Sequence, residues 1–268
     1  MLTAAGALYA PVVGGMLRQW YEQSDDSYGA LLALVALVVL FRRRAQIRTL
    51  PVDPLDTGFV VLALALVVYI LGFLVGDLFL MRVSLPAACA GAILALWGTA
   101  HARALAAPLG LFLLAIPLPA VLVTHLTLPL QLMASQIAAG VLAICHVPVV
   151  REGNLLLLPH ITLEVAEACS GLRSVTSLIA VAAICGAVVP LSAVRTIALM
   201  AAALPIAMVG NGLRVAATGL LTTWIGDIAV RGAVHELTGF VAFLAMCAAT
   251  LAVDVLARSR MQARSATA

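Results

Sequence analysis

The chain has 268 residues, of which 64% are hydrophobic and only 10% are charged, and its formal net charge is +3. Soluble domains are about 45–50% apolar and about 25% charged, so this composition argues against a water-soluble helical bundle. All 15 basic residues are arginines. The small net charge gives no reason to expect a nucleic-acid partner, and the arginines matter by their position. The composition predicts an all-α integral membrane protein.

The apolar runs predict about eight transmembrane helices, because roughly 20 apolar residues span a bilayer. The first run, Met1–Met16, lacks a basic n-region and an obvious cleavage site, so it is expected to be a retained first helix. The other predicted helices are, in chain order and with approximate ends, Leu31–Phe41, Thr57–Gly76, Leu85–Ala100, Arg103–Pro117, Val175–Val189, Thr196–Leu220 and Leu237–Ala257.

Arginine-rich connections mark the cytoplasmic side of a membrane protein. Two such clusters put the loop after the second helix and the C-terminus inside: Arg42, Arg43, Arg44 and Arg48, and Arg258, Arg260 and Arg264. The predicted topology is a multi-pass protein of the bacterial inner membrane, with both termini cytoplasmic and residues 147–170 outside. No repeat or separate soluble domain is visible, so residues 1–268 are predicted to form a single polytopic domain.

The stretch from Arg103 to Val147 must make one net crossing, although it is about twice the length needed. Proline removes a backbone donor and disfavours a continuous helix, and this stretch contains Pro117, Pro119 and Pro129. One crossing is expected up to about Pro117. A tilted or surface-lying helix is expected to follow near Pro129–Ile144.

The external segment Arg151–Glu167 is the only stretch with strand-like character. Asn154 precedes a run of four leucines, and residues 161–165 alternate between apolar and polar side chains. A short external loop or hairpin at the outer membrane surface is therefore predicted before Cys169.

Cys169 differs in its surroundings from the other four cysteines. It lies in the polar stretch Glu164–Ser174, just before Gly171. The others lie in apolar runs, where cysteine is usually a small buried side chain: Cys89, Cys145, Cys185 and Cys247. No pair has disulfide-type spacing, so Cys169 is the candidate functional thiol.

Two further polar clusters are predicted to lie at the same outer face. They are Asn211–Arg214, inside or at the outer end of an apolar helix, and His235–Gly239, at the start of the last helix. Ionisable residues in or beside membrane helices are costly and indicate a functional site.

Cys169, His235 and Arg214 together have the chemistry of an acyl-transfer site. Thiolate is the nucleophilic form of cysteine, and the N-terminus of a helix beginning at Ser170–Arg173 favours it. His235 can take and return a proton near neutral pH. Arg214 offers a planar fork of donors to an oxyanion or to a substrate carboxylate. These residue types indicate a site of the cysteine-peptidase type.

Each of these side chains also has an interpretation without catalysis. Arg214 would snorkel to the outer headgroups, and His235 would cap the last helix. Arg173 fits a headgroup or a glutamate partner better than a catalytic role.

Four residues are predicted to support the site: Glu167, Ser170, Arg173 and Asn211. Whether Glu164 or Glu167 assists His235 stays open. The remaining histidines form no pair with metal-ligand spacing, so no metal and no cofactor is expected: His101, His125, His146 and His160.

Three motifs in this order resemble the exosortase/archaeosortase family: Glu167–Arg173, Asn211–Arg214 and His235–Gly239. Three upstream segments resemble those that lead into the cysteine motif of bacterial exosortases: Ile116–Pro119, Leu128–Gln131 and Val147–Asn154. The resemblance covers roughly Trp20 to Gly239, which is most of the chain.

The resemblance implies that Cys169 is the nucleophile, Arg214 the essential arginine and His235 the third catalytic residue of a membrane-embedded transpeptidase. Family members resemble sortases in chemistry but not in fold. They recognise a C-terminal sorting signal with a Pro-Glu-Pro-type motif, a transmembrane helix and a basic cluster. They cleave near the motif on the outer face and transfer the protein to an acceptor, often beside exopolysaccharide production. The implied partners are sorting-signal proteins, a lipid or glycan amine as acceptor, and membrane lipids.

One segment departs from the family pattern. Bacterial members commonly carry a Tyr-Ser-His-Gly-like stretch after the first helix, whereas residues 26–29 here read Asp-Ser-Tyr-Gly. The missing histidine weakens any role assigned to the segment and suggests a subfamily with a different target.

Two rival functions remain from the residues alone. A transporter or assembly component for a lipid-linked glycan would use Arg214, Arg173 and His235 to contact a phosphate, and broken helices with midplane polar residues are typical of transporters. That function leaves Cys169 without a role. The other rival is a plain cysteine protease that passes the acyl group to water.

Overall fold

The computed structural model of the chain describes residues 2–165, 171–189 and 191–266. Over these residues the chain is mostly helical, which confirms the predicted all-α membrane class. The helices are α1 (Leu2–Glu22), α2 (Tyr28–Arg48), α3 (Thr57–Val75), α4 (Leu78–Trp97), α5 (Thr99–Leu114), α6 (Ala120–Ile144), α7 (Leu172–Val188), α8 (Ala193–Ile225) and α9 (Gly232–Ala266). A short 3-10 helix, Gly226–Val230, joins α8 to α9.

Five helical segments of the described chain are long and apolar enough to cross a membrane: α3, α4, α6, α8 with its 3-10 extension, and α9 up to Leu256. The predicted count of eight spans is not confirmed. The helices α5 and α7 are apolar but have only 16 and 17 residues. In α2 the arginines belong to the last turns of the helix rather than to a loop after it.

The stretch between Arg103 and Val147 differs from the prediction. Pro117 and Pro119 lie in the break between α5 and α6, but Pro129 lies inside α6 without ending it. The 25 residues of α6 extend about 37 Å, more than the roughly 30 Å of a hydrocarbon core. Helices in membranes tolerate proline because neighbouring groups satisfy the freed backbone atoms. The expected surface-lying helix is therefore part of one helix of spanning length.

The chain divides into two compact units. The first comprises Met1–Pro119 and Ala187–Val189, and the second comprises Ala120–Gly186 and Pro190–Ala268. The single polytopic domain over residues 1–268 stays a prediction.

A tight turn in the first unit joins α3 to α4. Gly76 ends α3 with a φ of 74°, in the left-handed region that favours glycine. Asp77 then caps α4, because its Oδ1 accepts hydrogen bonds from the backbone N–H groups of Phe79 and Leu80 at 2.8 and 3.0 Å. The two helices consequently form an antiparallel hairpin.

Glycines allow the backbones of α3 and α4 to approach closely. A Cβ at Gly58 would collide with the backbone of Ala95, and a Cβ at Gly91 would lie 2.5 Å from the backbone nitrogen of Leu62. Small residues at membrane helix contacts give the van der Waals packing that holds such helices together. The hairpin therefore depends on both glycines.

The second unit contains a small sheet in the segment where a hairpin was predicted. Its strands are β1 (Val150–Glu152), β2 (Leu155–Leu157) and β3 (Thr162–Glu164), paired antiparallel in the order β1-β2-β3. The hairpin is thus present, and a third strand extends it. Leu156 and Leu163, which pair across β2 and β3, are buried against α6 and α8.

Three helices of the second unit pack around a second apolar cluster. Val175 and Leu178 come from α7, Ala203 and Ala207 from α8, and Met246 from α9. The alanines leave room on α8 for larger side chains from α7 and α9, so all three helices contribute to this one cluster.

Replacing Gly58 with alanine is expected to destabilise the protein, although alanine is the better helix former by about 1 kcal/mol. The added methyl group would meet the backbone of Ala95, and overpacking costs about 1–3 kcal/mol. The thermal unfolding midpoint in detergent, followed by circular dichroism, should fall.

Gly110→Ala is the matched control, since a Cβ at Gly110 in α5 of the same unit meets nothing within 4 Å. Its midpoint should stay unchanged or rise. Equal midpoints for the two variants would contradict the close approach of α3 and α4.

Candidate active site

Arg214 and His235 are in direct contact. Arg214 lies in α8 and His235 lies in the first turns of α9. Nη2 of Arg214 is 3.3 Å from Nε2 of His235. Two residues that are far apart in sequence thus form one polar pair between two apolar helices.

The hydrogen bond defines the tautomer of His235. A guanidinium has donors only, so Nη2 of Arg214 donates and Nε2 of His235 accepts. In this arrangement the imidazole is neutral and carries its proton on Nδ1. Nδ1 is buried, and no group in the described part of the chain forms a hydrogen bond with it. The imidazole therefore keeps a donor for a further acceptor.

Gly239 leaves space for the guanidinium of Arg214 against the backbone of α9. It lies one turn after His235 on α9, and a Cβ there would be 2.9 Å from Nη2 and 3.1 Å from Cζ of Arg214. The guanidinium consequently rests on the helix backbone at this position. The His235–Gly239 motif was visible in the sequence, but the role of the glycine was missed. The spacing of four, which places both residues on one helix face, was the available signal.

Asn211 connects α8 to the start of α7. Its side chain is buried, with 1% of its surface exposed, and it lies one turn before Arg214. A Cβ at Gly171 would be 2.9 Å from Nδ2 of Asn211. Gly171 also has a φ of +87°, which favours glycine. Asn211 thus packs on the backbone just before α7.

Three predicted site residues lie outside the described residues: Glu167, Cys169 and Ser170. Both neighbours of segment 166–170 are anchored in the second unit. Val165 is 1% exposed and belongs to a buried cluster with Val215 and Ala216 of α8. Its backbone N–H donates to the carbonyl of Asn154 at 3.0 Å. Gly171, at the other end, packs on Asn211.

The remaining predicted site residues are on the surface. Arg173 is exposed in the first turn of α7, which begins at Leu172, within the range predicted for the helix start. Glu164 is exposed on β3. In the part of the chain that is described, no group of three or more His, Cys, Asp or Glu side chains could hold a metal ion.

Two of the cysteines that were expected to be buried are exposed: Cys89 and Cys145. Cys185 and Cys247 are half-buried. Cys89 lies in α4, and Cys145 directly follows the end of α6. An apolar side chain of a membrane protein can face lipid as readily as protein, so an apolar run does not predict burial here.

Comparison with known proteins identifies the family. Residues 20–252 match the model of the family described as transmembrane exosortase. The match covers most of the chain, and the chain therefore belongs to this family. Membership supports a sorting transpeptidase role in broad terms and a multi-pass membrane location. Neither a curated protein nor a solved structure matches the chain.

Gly239→Ala is expected to break the contact between Arg214 and His235, because the new methyl group would occupy the place of the guanidinium. The measurement is nitrogen NMR of histidine-labelled protein in lipid nanodiscs. Wild-type His235 should show an unprotonated, hydrogen-bonded Nε2 and a protonated Nδ1, and the Nε2 signal should shift in the variant.

The control is Gly140→Ala in α6 of the same unit, where a Cβ meets nothing within 4 Å. It should leave the His235 signals unchanged. A protonated Nε2 in the wild type, or a signal insensitive to Gly239→Ala, would refute the described geometry.

Proposed function

We propose that this exosortase-family chain is a cysteine transpeptidase that cleaves C-terminal sorting signals of exported proteins. The proposed signal has a Pro-Glu-Pro-type motif, a transmembrane helix and a basic cluster. Cys169 forms a thioester, and a lipid or glycan amine resolves it in connection with exopolysaccharide production. The observation that carries the proposal is the Arg214–His235 pair. Its arginine lies on the stretch of α8 that contacts Val165 and Gly171, the two described residues that flank the Cys169 segment.

Chain connectivity supports a role for Cys169 beside this pair. Cys169 is two residues before Gly171, and two residues span at most about 7 Å. Gly171 packs on Asn211, and Asn211 is one turn before Arg214, about 4.5 Å along the helix. This short chain distance supports the proposal that the thiol acts together with the guanidinium and the imidazole.

The proposed first half-reaction forms the thioester. Arg214 leaves Nε2 of His235 and donates to the substrate oxygen, which frees the Nε2 lone pair. The thiol proton of Cys169 moves to Nε2, and the sulfur bonds to the scissile carbonyl carbon. Arg214 stabilises the oxyanion or orients the carboxylate of the motif. As the carbon–nitrogen bond breaks, the leaving amine takes the proton from His235.

The second half-reaction reverses these roles. The acceptor amine bonds to the thioester carbon and loses a proton to Nε2 of His235. The carbon–sulfur bond breaks, and the proton returns to the Cys169 sulfur. Asn211, which packs on Gly171, is proposed to position the start of α7. Ser170, Glu167 and Arg173 are proposed to support the site.

The proposed location is the bacterial inner membrane, with both termini in the cytoplasm and the site facing outward. The arginines in the last turns of α2 and those near the end of the chain support this orientation, because basic residues favour the cytoplasmic side.

Cys169→Ala should abolish processing of a co-expressed reporter. The reporter is an exported domain followed by Pro-Glu-Pro, a 20-residue leucine–alanine helix and an arginine cluster. Cys145→Ala is the matched control, since Cys145 is an exposed cysteine outside the proposed site. Undiminished processing by Cys169→Ala, with equal amounts of inserted protein, would end the peptidase hypothesis.

Arg214→Lys should lower the rate of reporter processing by about 100- to 1,000-fold, the usual cost of losing an oxyanion donor, while binding of the reporter persists.

Product mass separates transfer from hydrolysis, because transfer adds the acceptor and hydrolysis leaves a free carboxylate. A chain that tolerates Cys169→Ala but loses substrate binding with Arg214→Ala would instead support the transporter function.

A membrane-impermeant thiol reagent tests the orientation. In a variant with alanine at the other four cysteines, Cys169 should be labelled from the outer side of intact cells. Labelling only after the cytoplasmic side is opened would overturn the proposed topology.

A further inference from the structure

A groove runs along α8 and α9 beside the candidate active site. Its volume is about 830 Å³, and its walls are formed by residues between Pro205 and Ala217 on α8 and between Leu237 and Ala249 on α9. The lining residues on each helix extend over twelve residue steps, which correspond to about 18 Å along the helix axis. The groove is therefore long enough to hold half the membrane span of another helix.

The groove is apolar except at one end. Among its lining residues only Arg214 is charged, and Arg214 contacts His235, which lies two residues before the first lining residue of α9. The far end is formed by Pro205 on α8 and Ala249 on α9. A ligand that fills the groove consequently has a long apolar part and an anionic group at the active-site end.

Several lining residues are small, which suits a helix as the occupant: Gly210, Ala217, Ala242, Ala245 and Ala249. Small side chains let the backbone of a second helix approach closely, and this packing drives association of helices in membranes. Larger apolar side chains that also line the groove are exposed, such as Val209 and Val241.

We propose that this groove binds the transmembrane helix of the sorting substrate, parallel to α9. The inference rests on the proposed function, because a chain cleaved at the active site continues from the cleaved bond into its membrane helix. That helix enters beside Arg214, where the carboxylate of the motif pairs with the guanidinium, and runs along α9 from Leu237 towards Ala249.

Photo-crosslinking tests the groove independently of catalysis. A benzophenone amino acid is placed at position 245 or at position 248 in the Cys169→Ala chain, with the Pro-Glu-Pro reporter in the same membrane. Both alanines are exposed on α9, but only Ala245 lines the groove. Position 245 should crosslink to the reporter helix at least fivefold more strongly than position 248.

Ala245→Leu and its matched control Ala248→Leu test the groove in the protein that retains Cys169. The leucine at position 245 narrows the groove, so the apparent KM for the reporter should rise at least fivefold, with little change in kcat. Ala248→Leu should behave as the wild type, because the same side chain is added outside the groove.

The outcomes separate the groove from the proposed function. If the reporter is processed but position 245 shows no preferred crosslink to it, or crosslinks to lipid only, the groove proposal is overturned and the transpeptidase function stands. If position 245 crosslinks preferentially to the reporter but the wild-type protein leaves the reporter uncut, the groove proposal is supported and the transpeptidase function is refuted. Absence of both processing and the preferred crosslink overturns both.

Discussion

The contact of the Arg214 guanidinium with His235 and Gly239 is the interaction on which the second unit depends. A charged group between apolar helices is costly unless hydrogen bonds and close contacts hold it. Here the imidazole accepts one hydrogen bond, and the glycine leaves room for the planar group. The fit fixes the register of α8 against α9. Further along the same interface, the Met246 side chain occupies the space that a Cβ at Gly210 would need. The absence of a side chain at Gly210 therefore lets the two helices lie close together.

One short stretch of α8 organises the elements around the site. Asn211 meets the backbone at Gly171, Arg214 meets α9, and Val215 and Ala216 meet the small sheet and Val165. Six consecutive residues of one helix therefore define where α7 begins, where α9 lies and where the sheet ends. Because the Cys169 segment connects the sheet to α7, its two ends are fixed by the same stretch.

The sequence was sufficient for features that depend on local composition. The apolar run Thr57–Gly76 predicts α3 almost to the residue, since apolar content over 20 residues is a local property. Features set by distant contacts were not predictable. Pro129 was expected to interrupt the chain and begin a separate surface-lying helix, yet α6 continues through it. Gly239 lay in a visible motif, but only the position of Arg214 explains why a side chain is excluded there. The membrane orientation stays a prediction, as do the roles of Cys169, Arg214 and His235.

The same hydrogen bond determines when His235 can act as a base under the proposed mechanism. While Nε2 accepts from Arg214, its lone pair is occupied, and the other ring nitrogen carries the proton. A general base needs a free lone pair within reach of the thiol. A substrate oxygen that draws the guanidinium away therefore releases the base at the moment the scissile bond arrives. The pair therefore keeps the base inactive until a carbonyl oxygen that accepts from Arg214 occupies the site.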